Sequence, residues 1–165
     1  MRVYLPSTLP ELRRLLDTGV VGDPPLPAYA VTGALTEWYA EGDTEELEYV
    51  ALSLAARASV RLLDADPDAP RRRVVVVAEV PDEVVTLVPH VDRAAVRVAD
   101  AVALRLVASV QVDDPSAVPD VTVAADAVVE ADLGSEDAAF RVEQAEGHEL
   151  QWYATQEIGP LLELS

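Results

Sequence analysis

The sequence predicts an α/β (α+β) fold in which one mixed β-sheet is covered by helices. The chain has 165 residues, half of them apolar. That length suits a single globular domain over residues 1–165, which can bury a core without disulfides or metals. Helical patterns occur early and late in the chain, whereas strand patterns are concentrated between them. This order favours one sheet over a regular doubly wound fold.

The first elements are a strand and a helix. Residues Arg2 to Leu5 alternate as an extended segment, and Thr8 with Glu11 forms a capping box in front of leucines on one helical face. Gly19 is a natural stop for this helix. The proline-rich segment 22–27 is predicted as an extended loop, because proline denies the backbone both helix and ladder bonding.

A second strand over Ala28 to Val31 is followed by two helices. A short apolar helix contains Trp38, and Asp43 offers a cap for a long helix from Thr44 to about Leu63. Apolar residues recur along the long helix at helical spacing, so one stripe must be buried. The predicted stripe consists of Leu47, Val50, Ala51, Leu54, Ala58 and Leu62.

Strands dominate the middle of the chain, after a solvated linker over residues 64–70. The run Val74 to Val77 is continuously β-branched, which is typical of a strand covered on both faces. Turn signals or charges separate the successive strands. The predicted strands cover Arg71 to Val80, Val84 to Val88, Ala95 to Ala99 and Leu104 to Val112.

The last third is predicted to begin with a helix capped by Asp114, with Val118, Val121, Ala125, Val128 and Val129 facing inward. Ala139 to Ala145 fits either a helix or a strand. The strand–helix order of residues 2–17 is echoed at 106–130, which leaves open a weak internal duplication. The closing elements are a strand over Leu150 to Thr155 and a short helix over Gln156 to Leu162.

Composition excludes several functions. Thirty acidic residues face twelve basic ones, all Arg, for a net charge of −18, which repels phosphate backbones and anionic lipid, so neither nucleic acid nor membrane is an expected partner. Without cysteine there is no disulfide, thiolate metal site or cysteine nucleophile. The lysine-poor composition indicates a GC-rich genome or adaptation to high salt. No secretory core is found near the start, so a cytoplasmic location is expected.

The segment His148 to Glu157 carries the most chemistry, with an imidazole, two aromatic rings and two carboxylates. As a strand it would turn Gln151 and Tyr153 to one side, where they could line a pocket with His148 as base. In the plainer interpretation Trp152 packs in the core and no residue orients the histidine. The candidate catalytic residues are His148, Tyr153 and Glu157, and the candidate ligand-binding residues are Trp152, Gln156 and Asp113.

Other charged groups have structural explanations beside functional ones. Asp113 follows a strand, where ligands often bind, or is a solvated turn residue. The run Arg71 to Arg73 could dock an anion or neutralise the carboxylates of the 64–68 linker. The two histidines, His90 and His148, follow no metal-binding spacing. They could bind a metal with Asp113 only if the tertiary fold happened to bring all three together. No metal and no cofactor is therefore expected.

Three segments resemble an uncharacterised actinobacterial protein family of similar length. They are Met1 to Pro6, Trp38 to Tyr49 with its Trp-Tyr-Ala and Glu-Glu-Leu-Glu-Tyr motifs, and His148 to Glu157. The resemblance covers nearly the whole chain. It implies a source lineage and a cytoplasmic location, but it brings no catalytic motif and no activity.

The function predicted from these features is a non-enzymatic module for protein interaction or self-association, because a strongly acidic surface steers cationic partners toward it. The alternative is a small enzyme or ligand-binding domain with a pocket near His148 and Tyr153. A third hypothesis is a nucleic-acid mimic, for which carboxylates would have to repeat at phosphate spacing on one face.

Overall fold

The computed structural model describes residues 1–165, which form nine strands and six helices. None of the helices is both long and apolar enough to cross a bilayer. The strands are β1 (Arg2–Ser7), β2 (Val20–Val21), β3 (Leu26–Tyr29), β4 (Val74–Glu79), β5 (Val85–Leu87), β6 (Ala95–Val98), β7 (Val102–Ala103), β8 (Val107–Asp113) and β9 (Leu150–Ala154). The helices are α1 (Leu9–Thr18), α2 (Gly33–Trp38), α3 (Thr44–Ala65), α4 (Val118–Asp132), α5 (Glu136–Glu146) and α6 (Ile158–Glu163).

Seven strands form the main sheet in the order β5-β6-β3-β1-β4-β8-β9. The predicted α+β class with one main sheet is confirmed. Every neighbouring pair of strands is antiparallel, so the sheet does not mix parallel and antiparallel pairs. Strands β2 and β7 pair separately as a two-stranded ribbon. Strands β5 and β9 are the two edges of the main sheet.

Side chains alternate along each central strand, so the sheet has two apolar faces. Helices cover both of them. Val74 and Val76 of β4 pack with α1 and α6, whereas Val75 and Val77 pack with α3. All four are buried, as predicted for this β-branched run. We call these two sides of the sheet the α6 face and the α3 face.

A hairpin of α4 and α5 packs on the C-terminal half of α3. Val60 and Leu63 of α3 meet Val121 and Val128 of α4 in a second apolar cluster. The ambiguous segment 139–145 is therefore helical. At this end of α3 the hairpin buries Val60 and Leu63, which lie outside the predicted stripe, whereas Leu47 and Ala51 of that stripe are buried as predicted.

Two residues predicted to face inward are exposed as a result of this arrangement. Leu62 lies outside the contact with the hairpin, and Val129 turns away from α3 on the far side of α4. Periodicity finds a helix but places its buried stripe only approximately, because each stripe follows the position of the packing partner.

Local signals set several ends of the elements. The Thr8 hydroxyl accepts the Glu11 N–H at 3.3 Å, and the Asp43 carboxylate accepts the Glu46 N–H at 2.8 Å, so both predicted N-caps are confirmed. Gly19 ends α1 with φ of 79°, the left-handed conformation that favours glycine.

Strand bounds differ more from the prediction than helix bounds do. Pairing with β6 makes Leu26–Tyr29 the second long strand in place of Ala28 to Val31. The predicted strand 104–112 begins with a 3-10 turn over Leu104–Leu106, and only β8 is extended. Strand ends depend on partners that are distant in sequence, and local pattern does not report them.

An ion-pair network holds α4 against α3. The Asp132 carboxylate accepts from Arg61 Nε at 2.7 Å and from Arg57 Nη2 at 3.3 Å. Hydrogen bonds from Arg61, and to a smaller extent those from Arg57, hold the pKa of Asp132 below its ordinary value. This carboxylate therefore stabilises the fold when it is ionised.

We expect Asp132→Asn to lower the free energy of unfolding at pH 7 by about 0.5–1 kcal/mol, since all three side chains are partly solvated. Because the folded pKa is depressed, the stabilisation is complete above about pH 4 and is lost as the pH falls through the folded pKa. Urea unfolding at pH 7 and at pH 3 checks this difference. Asp126→Asn, at an exposed position of α4 without an ion pair, should change stability little at either pH.

Candidate functional site

Two adjoining clefts lie along the α3 face. The first, which we call the β9 cleft, has a volume of about 300 Å³, and the second, the α3 cleft, about 540 Å³. Tyr49 lines both. The β9 cleft is further lined by Leu52, Ser53, Ala56, Arg73, Gln111, Glu146, His148, Glu149 and Leu150, and the α3 cleft by Tyr39, Asp43, Glu45, Glu46, Leu47 and Val50.

His148 stands at the start of β9 and lines the β9 cleft. Its Nε2 lies 2.7 Å from Asp120 Oδ2, in the first turn of α4. This contact supplies an orienting carboxylate for the imidazole. Asp120 is 28 residues from His148, and no spacing motif in the sequence connects them.

Asp113 is fully buried and does not face a cleft. Its Oδ2 accepts the backbone N–H and Nε–H of Arg73, and its Oδ1 accepts from Arg73 Nη2, each at 2.8 Å. The same Nη2 donates to the carbonyl of His148 at 2.9 Å. The Asp113–Arg73 pair thus joins the end of β8 to the residue before β4 and to the turn before β9, which corrects the expectation of a solvated turn residue.

The three arginines of the run Arg71 to Arg73 also form hydrogen bonds within the fold. Arg71 donates to the carbonyls of Leu63 and Pro67 near the end of α3, at 2.6 and 3.1 Å. Arg72 donates to the carbonyl of Asp113 and to the Ser165 hydroxyl. None of the three guanidinium groups pairs with a carboxylate of the 64–68 linker, so that part of the prediction is wrong. The carbonyls at the end of a helix lack intrahelical donors, and Arg71 satisfies one of them.

Tyr153 and Glu157 lie on the α6 face, away from His148. Tyr153 packs against the core beneath α6 and, with Glu157, lines a separate cleft of about 320 Å³. Its hydroxyl donates to Gln151 Oε1 at 3.1 Å, and Glu157 Oε1 accepts the Ala154 N–H at 3.2 Å. Because His148 lies on the α3 face, the single pocket that the sequence suggested for His148 and Tyr153 does not form. Gln156 is exposed and lines neither cleft.

Trp152 is exposed over 61% of its surface, which corrects the expectation that it packs in the core. It pairs in register with Gln111 of β8 and shares the α3 face with Leu150. Gln111 and Leu150 both line the β9 cleft. The indole therefore stands at the border of this cleft.

Exposed aromatic rings and carboxylates occur together along the two clefts. Tyr39 and Tyr49 are 43% and 58% exposed, so the clefts and their border present three large rings to solvent. Four carboxylates here form no ion pair, and all but the helix cap Asp43 have no hydrogen-bond partner for their side chains, while Arg73 and His148 are matched by Asp113 and Asp120. We call this region the acidic–aromatic surface; it consists of Tyr39, Tyr49, Trp152, Glu45, Glu46 and Glu149.

The candidate site residues predicted from the sequence do not include Tyr39, Tyr49, Glu45 or Glu46. Tyr49 lies off the buried stripe of α3, and this position is the one signal that could have indicated it.

A family described as a family of unknown function (DUF6912) matches residues 1–162. No curated protein and no solved structure matches the chain.

Proposed function

The chain belongs to DUF6912, a family of unknown function, and we propose that it is a non-enzymatic, cytoplasmic protein-interaction module that binds a basic segment of a partner protein. The observation that supports this function is the acidic–aromatic surface. Three exposed rings and three carboxylates without cationic partners lie together along one side of α3 and β9.

This chemistry suits lysine and arginine side chains. A cation over the face of Trp or Tyr is attracted by the ring quadrupole, and the attraction grows as the pair is desolvated. Nearby carboxylates add charge-assisted hydrogen bonds, which are stronger than neutral ones. The chain's own example is Arg93, whose guanidinium carbon lies 3.6 Å from the centroid of the Trp38 ring.

The net charge of −18 favours a basic partner over a second copy. Two copies that met through this surface would bring Glu45, Glu46 and Glu149 of each against the same groups of the other, and like charges in an interface oppose association. A cationic partner is instead attracted over several ångströms before contact, which raises its association rate.

A peptide titration tests the proposal. An arginine-rich peptide should bind, an acidic peptide of equal length should not, and affinity should weaken as added salt shortens the Debye length. Tryptophan fluorescence reports binding at this surface, since the Trp152 ring borders it and the Trp38 ring is already stacked on Arg93. Trp38→Phe should keep the fluorescence change and Trp152→Phe should lose it. Equal binding of both peptides, or a fluorescence change that Trp152→Phe leaves intact and Trp38→Phe abolishes, would contradict the proposal.

A second candidate function is a small-ligand site in the β9 cleft. The observation that favours it is the contact between His148 and Asp120, which orients an imidazole in a concave site of about 300 Å³. A screen of small amines by NMR separates the two functions. Saturable shifts of the His148 ring with a small amine, and no binding of the arginine-rich peptide, would favour the ligand site.

A further inference from the structure

Strand β9 forms one edge of the main sheet. Its five residues pair with β8 alone, in the register Val110 with Tyr153 and Val112 with Gln151. Trp152 is largely exposed on this edge, and Gln151 is exposed as well. An edge of this kind is a ready template for pairing with another chain.

The direction of the hydrogen bonds shows which groups on this edge are free. The Asp113 N–H donates to the carbonyl of Arg73, the residue before β4, at 3.1 Å. Because the direction of backbone hydrogen bonding alternates along a strand, the N–H and C=O groups of Val112 and Val110 in β8 point instead toward β9. There they face the backbone groups of Gln151 and Tyr153.

It follows that Leu150, Trp152 and Ala154 direct their backbone groups away from β8. The bond from the Ala154 N–H to the Glu157 side chain agrees with this direction. The N–H and C=O of Leu150 and Trp152 therefore remain on the outer edge for another strand.

We propose that the basic segment of the partner binds as an eighth strand along β9, hydrogen-bonded to the outward backbone groups of Leu150 and Trp152. The inference rests on the proposed function and specifies how the partner is held. Main-chain hydrogen bonds would supply affinity, and the surfaces on either side of the strand would select the side chains.

Alternation gives the partner a recognisable sequence pattern. Every second side chain of an added strand would lie on the α3 face, beside the β9 cleft with Glu149 and Tyr49. The others would lie on the α6 face, where Leu161 and Leu164 line the cleft beside Tyr153. The segment that fits is extended, with basic residues at alternate positions and apolar residues between them.

A second copy of the chain fits this edge less well. Glu149 precedes β9 and Glu157 follows it, so paired β9 strands would carry four carboxylates at their ends and a combined excess of negative charge. A dimer formed through β9 is therefore an outcome that would overturn the proposal.

Backbone methylation of the ligand provides the test. The probe is a peptide of alternating Arg and Val, prepared with N-methyl groups on every second residue in either of the two phases. One phase blocks the N–H groups that face β9 and should weaken binding about tenfold or more. The other phase blocks only groups that face solvent and should change affinity by less than about threefold.

The outcomes separate the inference from the function on which it rests. Equal effects of the two phases on a peptide that still binds at the acidic–aromatic surface would overturn strand addition alone. Failure of the unmethylated peptide to bind would overturn both proposals. A blocky peptide of the same composition, with all Arg before all Val, should bind more weakly than the alternating one.

Variants of the protein give an independent measurement. Trp152→Ala removes the indole and keeps the backbone N–H, whereas Trp152→Pro removes the outward N–H as well. Proline is tolerated on an edge strand where its nitrogen faces solvent. We expect Trp152→Pro to bind the alternating peptide about tenfold more weakly than Trp152→Ala does. Equal affinities, or a dimer of the unaltered chain that Trp152→Pro dissociates, would contradict the inference.

Discussion

Replacing Asp113 with Ala is expected to lower the free energy of unfolding by about 3–5 kcal/mol, the usual loss when one member of a buried ion pair is removed. Arg73 is only 3% exposed, and the substitution would leave its guanidinium without a counter-charge. The change also removes the acceptor for three hydrogen bonds that join Arg73, the residue before β4, to β8. Urea unfolding followed by circular dichroism measures the loss.

Two comparisons show whether the ion pair is the cause. Asp114→Ala removes a neighbouring carboxylate that caps only one 3-10 turn through the Ser116 N–H, and its effect should be much smaller. The double variant Arg73→Met with Asp113→Val should regain part of the stability, because it leaves no unpaired charge. Equal losses for the substitutions at 113 and 114 would contradict this account of the Arg73 contact.

The second large effect concerns binding. Reversing two carboxylates with Glu45→Arg and Glu149→Arg should weaken the arginine-rich peptide about 100-fold, because each reversal replaces an attraction with a repulsion. Both side chains are exposed and neither forms an ion pair. The fold should therefore tolerate the pair of changes. Isothermal titration calorimetry measures the affinity.

A matched pair of reversals separates local recognition from net charge. Glu83 and Glu163 are exposed carboxylates outside the acidic–aromatic surface. The variant Glu83→Arg with Glu163→Arg changes net charge by the same amount. It should weaken the peptide by less than about fivefold, through long-range attraction alone. If both double variants weaken binding equally, the negative field of the whole protein, and not this surface, is responsible.

Local chemistry accounts for the parts of the fold that the sequence predicts well. The caps at Thr8 and Asp43 and the stop at Gly19 involve residues within a few positions of one another, so they can be recognised before the tertiary structure is known. The central strand Val74–Glu79 is predicted because a continuous β-branched run is rare outside strands covered on both faces.

The candidate site depends on tertiary contacts that a single sequence does not report. Asp120 reaches His148 only because α4 returns beside the start of β9, and Arg73 reaches Asp113 across 40 positions. Trp152 is exposed because β9 has no outer neighbour and no helix covers its end, although an indole in an alternating strand ordinarily indicates burial. Strand order decides its surroundings, and strand order is a property of the whole chain.

The sequence indicates that the segment His148 to Glu157 is rich in chemistry, and five of its residues line clefts in the structure. Alternation along β9 places these residues on the two opposite faces of the sheet. The predicted strand already had Trp152 and Tyr153 facing opposite sides. A single pocket lined by both His148 and Tyr153 would require both side chains to lie on the same face of the sheet. The position of His148 beside α3 and α4, before the strand begins, places it with Trp152 instead.

The most direct test of recognition by the acidic–aromatic surface is a ¹⁵N-resolved NMR titration of the whole chain with the alternating Arg and Val peptide. The account predicts saturable shifts of the backbone amides of Tyr49, Glu149 and Trp152 and of the Trp152 indole N–H, with the amides of β5 at the opposite edge unchanged. Shifts distributed over carboxylates on every side of the molecule, or concentrated at β5, would contradict it.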